Sequence, residues 1–302
     1  PGLATLQDVN QRLDQIAAAP NPYSRWATFT AYGAAGGAFA MLMRASWHDV
    51  FWATVLSLIV YLFVLWSMKS RRVAHMLEPL VALVSAKLAT AVAVYIEPMI
   101  NVPLVVLSAI IVFIPGLALT LGLAELAARD LISGTARIMD ASMLLFKLYF
   151  GAVLGMAIGK AFFGEAIYIE PEGLPRWAIW SAVPILSMAL VFIFKARMQD
   201  SPWGVLAGIV AFFSAMLGGH FFGDSVGIFF GALAVGVYSN LYARWMKAPA
   251  SIALLQGIVI LVPGSKTYIG LNALISGETM LNQSHIGSQI FLIFMSLIAG
   301  LI

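Results

Sequence analysis

The sequence contains no cysteine, and that absence removes disulfides, thiolate chemistry and cysteine–metal sites together. Charge is nearly as scarce. Lys, Arg, Asp and Glu make up 10% of the 302 residues, against roughly 25% in soluble domains, so a water-soluble fold is excluded. Histidine is limited to His48, His75, His220 and His285, scattered along the chain, and no HExxH, GxSxG or P-loop pattern occurs. An enzyme with a metal or nucleophile–base site is therefore not indicated, nor is a self-contained ATP-driven pump. No cofactor and no metal are required. What fills the sequence is apolar: 61% of residues are hydrophobic, with a mean hydropathy of +0.93. This composition reads as an all-α, multi-pass membrane protein. The formal charge of +3 needs no nucleic-acid partner, because the basic residues sit in loops between apolar segments.

Apolar runs long enough to cross a bilayer, roughly 17–25 residues, are expected at 26–43, 49–68, 79–97, 101–123, 139–163, 176–195, 203–219, 225–243, 249–272 and 284–302. The chain begins at Pro1 with no basic n-region and cleavage site, so no signal peptide is set aside. Residues 1–22 are expected to form an amphipathic cytoplasmic helix, with Leu3, Leu6, Val9, Leu13 and Ile16 on one face and Pro20 and Pro22 ending it. That helix is read as the remnant of a longer N-terminal region, lying on the membrane or belonging to a soluble domain. Lys and Arg set the orientation. Arg12, Arg25, Lys69, Arg71, Arg72, Arg129, Arg137, Lys195, Arg197, Arg244 and Lys247 share one side, while Arg44, Lys160, Arg176 and Lys266 share the other. Both termini are thus expected in the cytoplasm, and the acidic loop 164–175 outside.

The two sides of that loop resemble each other. Pro-Gly followed by LISG occurs at 115–134 and again at 263–277. The segments YIEPMINVP (95–103) and YARWMKAP (242–249) precede these stretches, and the charge switches from Glu97 to Arg244 and Lys247. Five spans per half is an odd number, so a second copy enters the membrane upside down and its equivalent loop meets the positive-inside side. The expected architecture is two inverted five-helix repeats, 23–163 and 176–302, each with one Pro-Gly-broken helix.

Broken helices in inverted repeats point to a transporter's substrate site. Proline removes a backbone donor and glycine lets the chain turn; the freed groups must be buried in protein or line a wet cavity. Each restarted helix offers unpaired N–H groups and its positive dipole end, which suit a carboxylate. The candidate substrate-binding residues are Pro115, Gly116 and Thr120 at the first break, and Pro263, Gly264, Ser265, Lys266, Thr267 and Asn272 at the second. Hydroxyl and amide groups of this kind suit a small zwitterion.

The stretches IPGLALTLGLAELAARDLISGTARIMDA and LVPGSKTYIGLNALISG are similar to the two half-motifs of the threonine/serine exporter family, and the resemblance covers nearly the whole chain. It implies a ten-span exporter of small hydroxylated amino acids across a bacterial inner membrane, driven by proton entry. Related systems are associated with dicarboxylates, so succinate stands as an alternative substrate class. An intramembrane enzyme is the weakest reading. The partners this implies are the amino acid, protons and membrane lipid, with a homo-oligomer left open.

Coupling to protons needs a group whose ionisation follows solvent access. The candidates are Glu125, Asp130 and Glu278 near the breaks, and Lys87, Lys147 and Asp140 within apolar spans, where charge is costly. Asp140 is placed to pair with Lys147, and both lysines can reach part of the way toward the cytoplasmic end. Gly151, Gly155 and Gly159 recur every four residues, as do Gly33 and Gly37; these are read as helix-packing positions.

Overall fold

The computed structural model describes residues 10, 11, 13, 14, 22–261, 268, 269 and 286–301. Every described element is helical: α1 Arg25–Leu42, α2 Trp47–Ser67, α3 Arg71–His75, α4 Leu77–Tyr95, α5 Val102–Ala109, a 3-10 turn Ile111–Phe113, α6 Gly116–Ala127, α7 Leu131–Phe163, α8 Arg176–Ile193, α9 Ser201–Phe222, α10 Asp224–Met246, α11 Ser251–Leu261 and α12 Ile286–Leu301. Most of the proposed amphipathic segment 1–22 lies outside the described residues.

Among the described residues five helices are long and apolar enough to cross a membrane: α2, α4, α7, α9 and the Val226–Met246 part of α10. The pair Val102–Ala109 and Ile111–Ala127 makes a sixth if its 56° bend is counted within one span. Helices α1 and α8 and the described parts of α11 and α12 also fall where spans are expected; over the described residues they are shorter or less apolar. Helix α7 begins at Leu131 rather than near 139, because nothing in LISGTARI interrupts it. Its 33 residues are about 50 Å long, beyond the ~30 Å hydrocarbon core.

Loops that share a predicted side also meet in space. At one end the Tyr23 hydroxyl donates to the Ala196 carbonyl. At the other, His48 Nδ1 lies 3.0 Å from Glu97 Oε2, the Ile169 amide donates to the Pro98 carbonyl at 3.1 Å, and Trp47 packs on Trp177. Exposed Trp26, Trp66 and Trp245 sit near the first end, and Trp47, Trp177 and Tyr95 near the second. Two such belts are what membrane interfaces select.

Two kinds of seam hold the helices. Between α1 and α8 lie Ala31, Ala35 and Ala38 facing Ala182, Ala189 and two leucines, Leu186 and Leu190. Between α4 and α7 three glycines spaced four residues apart make the contact. A methyl group at Gly151 would overlap the Pro79 carbonyl, one at Gly155 the Leu83 carbonyl, and one at Gly159 the Thr90 side chain. Backbone therefore meets backbone along α7, and dispersion replaces the missing hydrophobic drive in lipid. Gly155→Ala should destabilise the protein by about 1–3 kcal/mol through overpacking. Gly173→Ala, with open space around it, should change stability by under ~0.5 kcal/mol; thermal unfolding in detergent measures both.

Candidate functional site

The first break is assembled from local rules. Helix α5 ends at Ala109, whose carbonyl accepts a hydrogen bond from Ser57 Oγ of α2 at 3.3 Å. One 3-10 turn follows, and Ile114 is extended with ψ 119°, as the residue before a proline must be. The Gly116 amide then folds back onto the Ile114 carbonyl at 2.8 Å, and α6 starts. Its first intrahelical-type bond comes from Leu119 to Pro115, and no side chain caps it. Among the described residues the amides of Leu117 and Ala118 thus have no acceptor.

Gly116 and Leu117, at the start of α6, line a cavity of about 430 Å³. Ile114, Pro115, Gly116 and Leu117 line it from the first break; Val259, Ile260 and Leu261 line it from α11. Leu261 is two residues before Pro263. Ala35 and Phe39 of α1 and Leu186 and Leu190 of α8 complete the wall. The cavity is therefore shared by both halves of the chain. Pro263, Gly264, Ser265, Lys266, Thr267, Asn272 and Glu278 lie outside the described residues. Tyr268 and Ile269 are buried in the core of the first half, with the Tyr268 ring 6.0 Å from that of Tyr149.

The other predicted residues are dispersed. Thr120 is fully buried one turn into α6, its hydroxyl donating to the Gly116 carbonyl at 3.1 Å, and it does not line the cavity. Glu125 accepts from Ser133 Oγ at 2.9 Å and from Arg137 Nε at 3.0 Å, with Arg137 NH2 at 2.8 Å. Its carboxylate clamps the α6–α7 turn. Asp130 precedes α7 on the surface, and Asp140 and Lys147 are exposed along it. The expected Asp140–Lys147 pair is not formed: among the described residues the ion pairs are His48–Glu97 and Glu125–Arg137. Lys87 does not face the cavity. Its ammonium lies 5.1 Å from the Phe162 ring centroid near the far end of α7, a cation–π contact, and so reaches away from the cytoplasmic end expected for it.

Two buried acids escaped the sequence reading. Asp49 is 2% exposed and accepts from the Ser46 amide at 3.0 Å, the Ser46 hydroxyl at 2.7 Å and the Asn101 amide at 2.7 Å. It closes a capping box at the start of α2 and ties it to the start of α5. Tyr168 of the 164–175 loop lies near it; burial, then the Asp49 and Glu170 carboxylates, raise its phenol above the ordinary range. Asp200 is also buried and accepts from the Tyr242 hydroxyl at 2.8 Å. The signal that could have found both is a shared spacing, RASWHD (44–49) and KARMQD (195–200). Arg44 and Lys195 are both left-handed, with φ of 56° and 53°. In each case the next alanine amide reaches back five residues, Ala45 to Ala40 and Ala196 to Val191, the Schellman closure of a helix end.

A second cavity of about 430 Å³ lies between the α8–α9 linker and α11, lined by Lys195, Arg197, Asp200, Ser251, Leu255 and Gln256 among others. It shares Leu117 and Phe194 with the first. Among the described residues no group of His, Asp or Glu could hold a metal ion.

Comparison with known proteins fits this arrangement. Residues 2–159 match the family model described as "Putative threonine/serine exporter", and residues 178–302 the one described as "Threonine/Serine exporter, ThrE". The chain belongs to the threonine/serine exporter family. It is 24% identical over 272 residues to the "Pheromone-regulated membrane protein 10" of Kluyveromyces lactis, covering 86% of this chain and 28% of that protein. The protein of the same name in Saccharomyces cerevisiae is 28% identical over 173 residues, 54% of this chain and 43% of its own length. In Candida albicans the figures are 30% over 185 residues, 57% and 16%. The chain thus spans less than half the length of each of these relatives. No solved structure matches it.

If Glu125 acts as a clamp, Glu125→Gln and Arg137→Gln should each lower the thermal midpoint slightly and by similar amounts. The double variant should be no worse than either single one. A proton-carrying Glu125 would instead show itself when Glu125→Gln alone abolishes the pH-gradient dependence of flux.

Proposed function

We propose that this protein is a secondary transporter that exports threonine, serine or similar small hydroxylated amino acids from the cytoplasm, coupled to proton entry. The observation that carries this reading is the start of α6, whose amides have no side-chain cap and whose first residues line a cavity shared by both halves of a threonine/serine exporter family chain. A substrate carboxylate would meet those amides and the positive end of the α6 dipole. Mostly apolar walls make each polar group there count for more, as in small-molecule sites generally.

Ten spans in two inverted halves form the scaffold of this reading. Support comes from packing partners that recur at corresponding positions. Helix α2 packs on α5 as α9 packs on α11, and α4 packs on α7 as α10 packs on α12. The matched closures at Arg44 and Lys195, each five residues before a buried aspartate, support it further. Cytoplasmic termini follow from the eleven-to-four distribution of basic residues. The bacterial inner membrane is taken from the family resemblance, the relatives named above being fungal.

A dicarboxylate is the second reading, favoured by the exposed Lys195 and Arg197 at the second cavity. Proteoliposomes loaded with unlabelled solute decide between them: counterflow should accumulate labelled serine or threonine over succinate, more strongly under an imposed pH gradient. Equal leak of all three solutes, indifferent to the gradient, would end the coupled-exporter reading. Gly116→Leu should reduce flux at least tenfold while leaving membrane insertion intact. Normal flux in that variant would remove the break from the substrate path.

A further inference from the structure

A carboxylate buried in a membrane fold is costly, and it is kept where it has a task. Among the described residues two are buried, Asp49 at 2% exposure and Asp200 at 7%. They are held differently. Asp49 has both oxygens taken, Oδ1 by the Asn101 amide and Oδ2 by the amide and hydroxyl of Ser46. It caps α2, which is a structural use. Asp200 stands at the start of α9, yet its side chain caps nothing. Its Oδ1 accepts from the Tyr242 hydroxyl at 2.8 Å, and among the described residues Oδ2 has no partner.

That second oxygen is not sealed in. The described polar atoms that are both enclosed and without a partner are Ser187 Oγ, Ser239 Oγ and the two amide atoms of Gln256. Oδ2 of Asp200 is without a partner and is not one of them, so the residual exposure of Asp200 includes this atom. The open space beside the residue is the second cavity. Among the described residues lining the two cavities, Asp200 is the one acid. The charged groups that share its cavity are Lys195 and Arg197 of the same linker, and neither is ion-paired with it. Helix α10 brings Tyr238 and Tyr242, which pack on Trp203, while α11 has no ionisable residue between Ser251 and Leu261.

Resting on the transport reading above, we propose that Asp200 is the residue that receives the coupled proton and delivers it to the cytoplasm. The proton bonds to Oδ2 from water in the cavity and leaves to water on the cytoplasmic side; no other bond changes. Tyr242 fixes Oδ1 and thereby keeps Oδ2 available. Lys195 and Arg197 favour the carboxylate once the proton can depart. Leu117 and Phe194 line both cavities, which sets the chamber of Asp200 against the central one.

Two measurements on the full chain test this assignment. In proteoliposomes Asp200→Asn, which keeps an acceptor for Tyr242, should still exchange labelled serine at a lower rate but lose its stimulation by an imposed pH gradient. Stimulation that persists in Asp200→Asn overturns the assignment and leaves the transport reading intact. The second measurement needs no transport. A hydrophobic carbodiimide adds to a protonated carboxyl and not to a carboxylate, so it should label Asp200 and spare Asp49, as read by peptide mass spectrometry. Labelling should fade as the pH rises. Tyr242→Phe removes a donor that favours the ionised form, so the midpoint of that fading should move up by about one pH unit. A tyrosine that served packing alone would leave it unmoved. If the unaltered protein moves no solute or ignores the gradient, the transport reading falls and the labelling decides by itself. Asp200 labelled with a midpoint that Tyr242→Phe raises upholds the proton site; Asp200 unlabelled, or a midpoint unmoved, overturns it. The same pattern decides should Asp200→Asn fail to insert or to exchange.

Discussion

An interrupted helix inside lipid is tolerable only if every freed backbone group finds a partner or faces a polar space, and the break at Pro115–Gly116 organises the fold around that requirement. Ser57 donates to the Ala109 carbonyl, the Gly116 amide turns onto Ile114, and the start of α6 lines the cavity. The surrounding helices are arranged so that this point is enclosed by both halves. Residues 268 and 269, beyond the second break, are packed into the core of the first half, and α6 in turn packs against α11 and α12.

The membrane character, the helical class and the first break were legible in the sequence because each follows from a local rule: hydropathy, apolar run length, and the chemistry of Pro-Gly. The packing role of Gly151, Gly155 and Gly159 was legible for the same reason. The site's polar inventory was less so. Thr120, named for its hydroxyl, bonds its own helix, and Glu125, named for its place beyond the break, is held by Arg137. Which carbonyl or guanidinium comes within 3 Å is set by how α7 folds back on α6, and no local pattern encodes that.

Asp49, Asp200 and Gln256 were missed for the opposite reason. Asp49 and Asp200 sit at helix starts, where polar residues are ordinary caps, Gln256 lies a turn and a half into α11, and only tertiary packing buries them. Asp49 and Asp200 nevertheless left a trace, the basic–Ala–x–x–x–Asp spacing, which becomes meaningful once Arg44 and Lys195 are seen in the same left-handed conformation. The difference between the halves lies in what surrounds these acids. Asp49 is enclosed by three donors beneath Tyr168, whereas Asp200 borders an open chamber.

The two helix seams differ in texture. Where α7 meets α4, carbonyls fill the hollows left by glycine, and displacement along the axis would drive backbone into backbone. Where α1 meets α8, the facing surfaces are mostly methyl groups, low and regular, with few protruding side chains to catch. Interlocked surfaces travel together and smooth ones slip, so the alanine face is the plane along which the two halves offer least resistance to sliding.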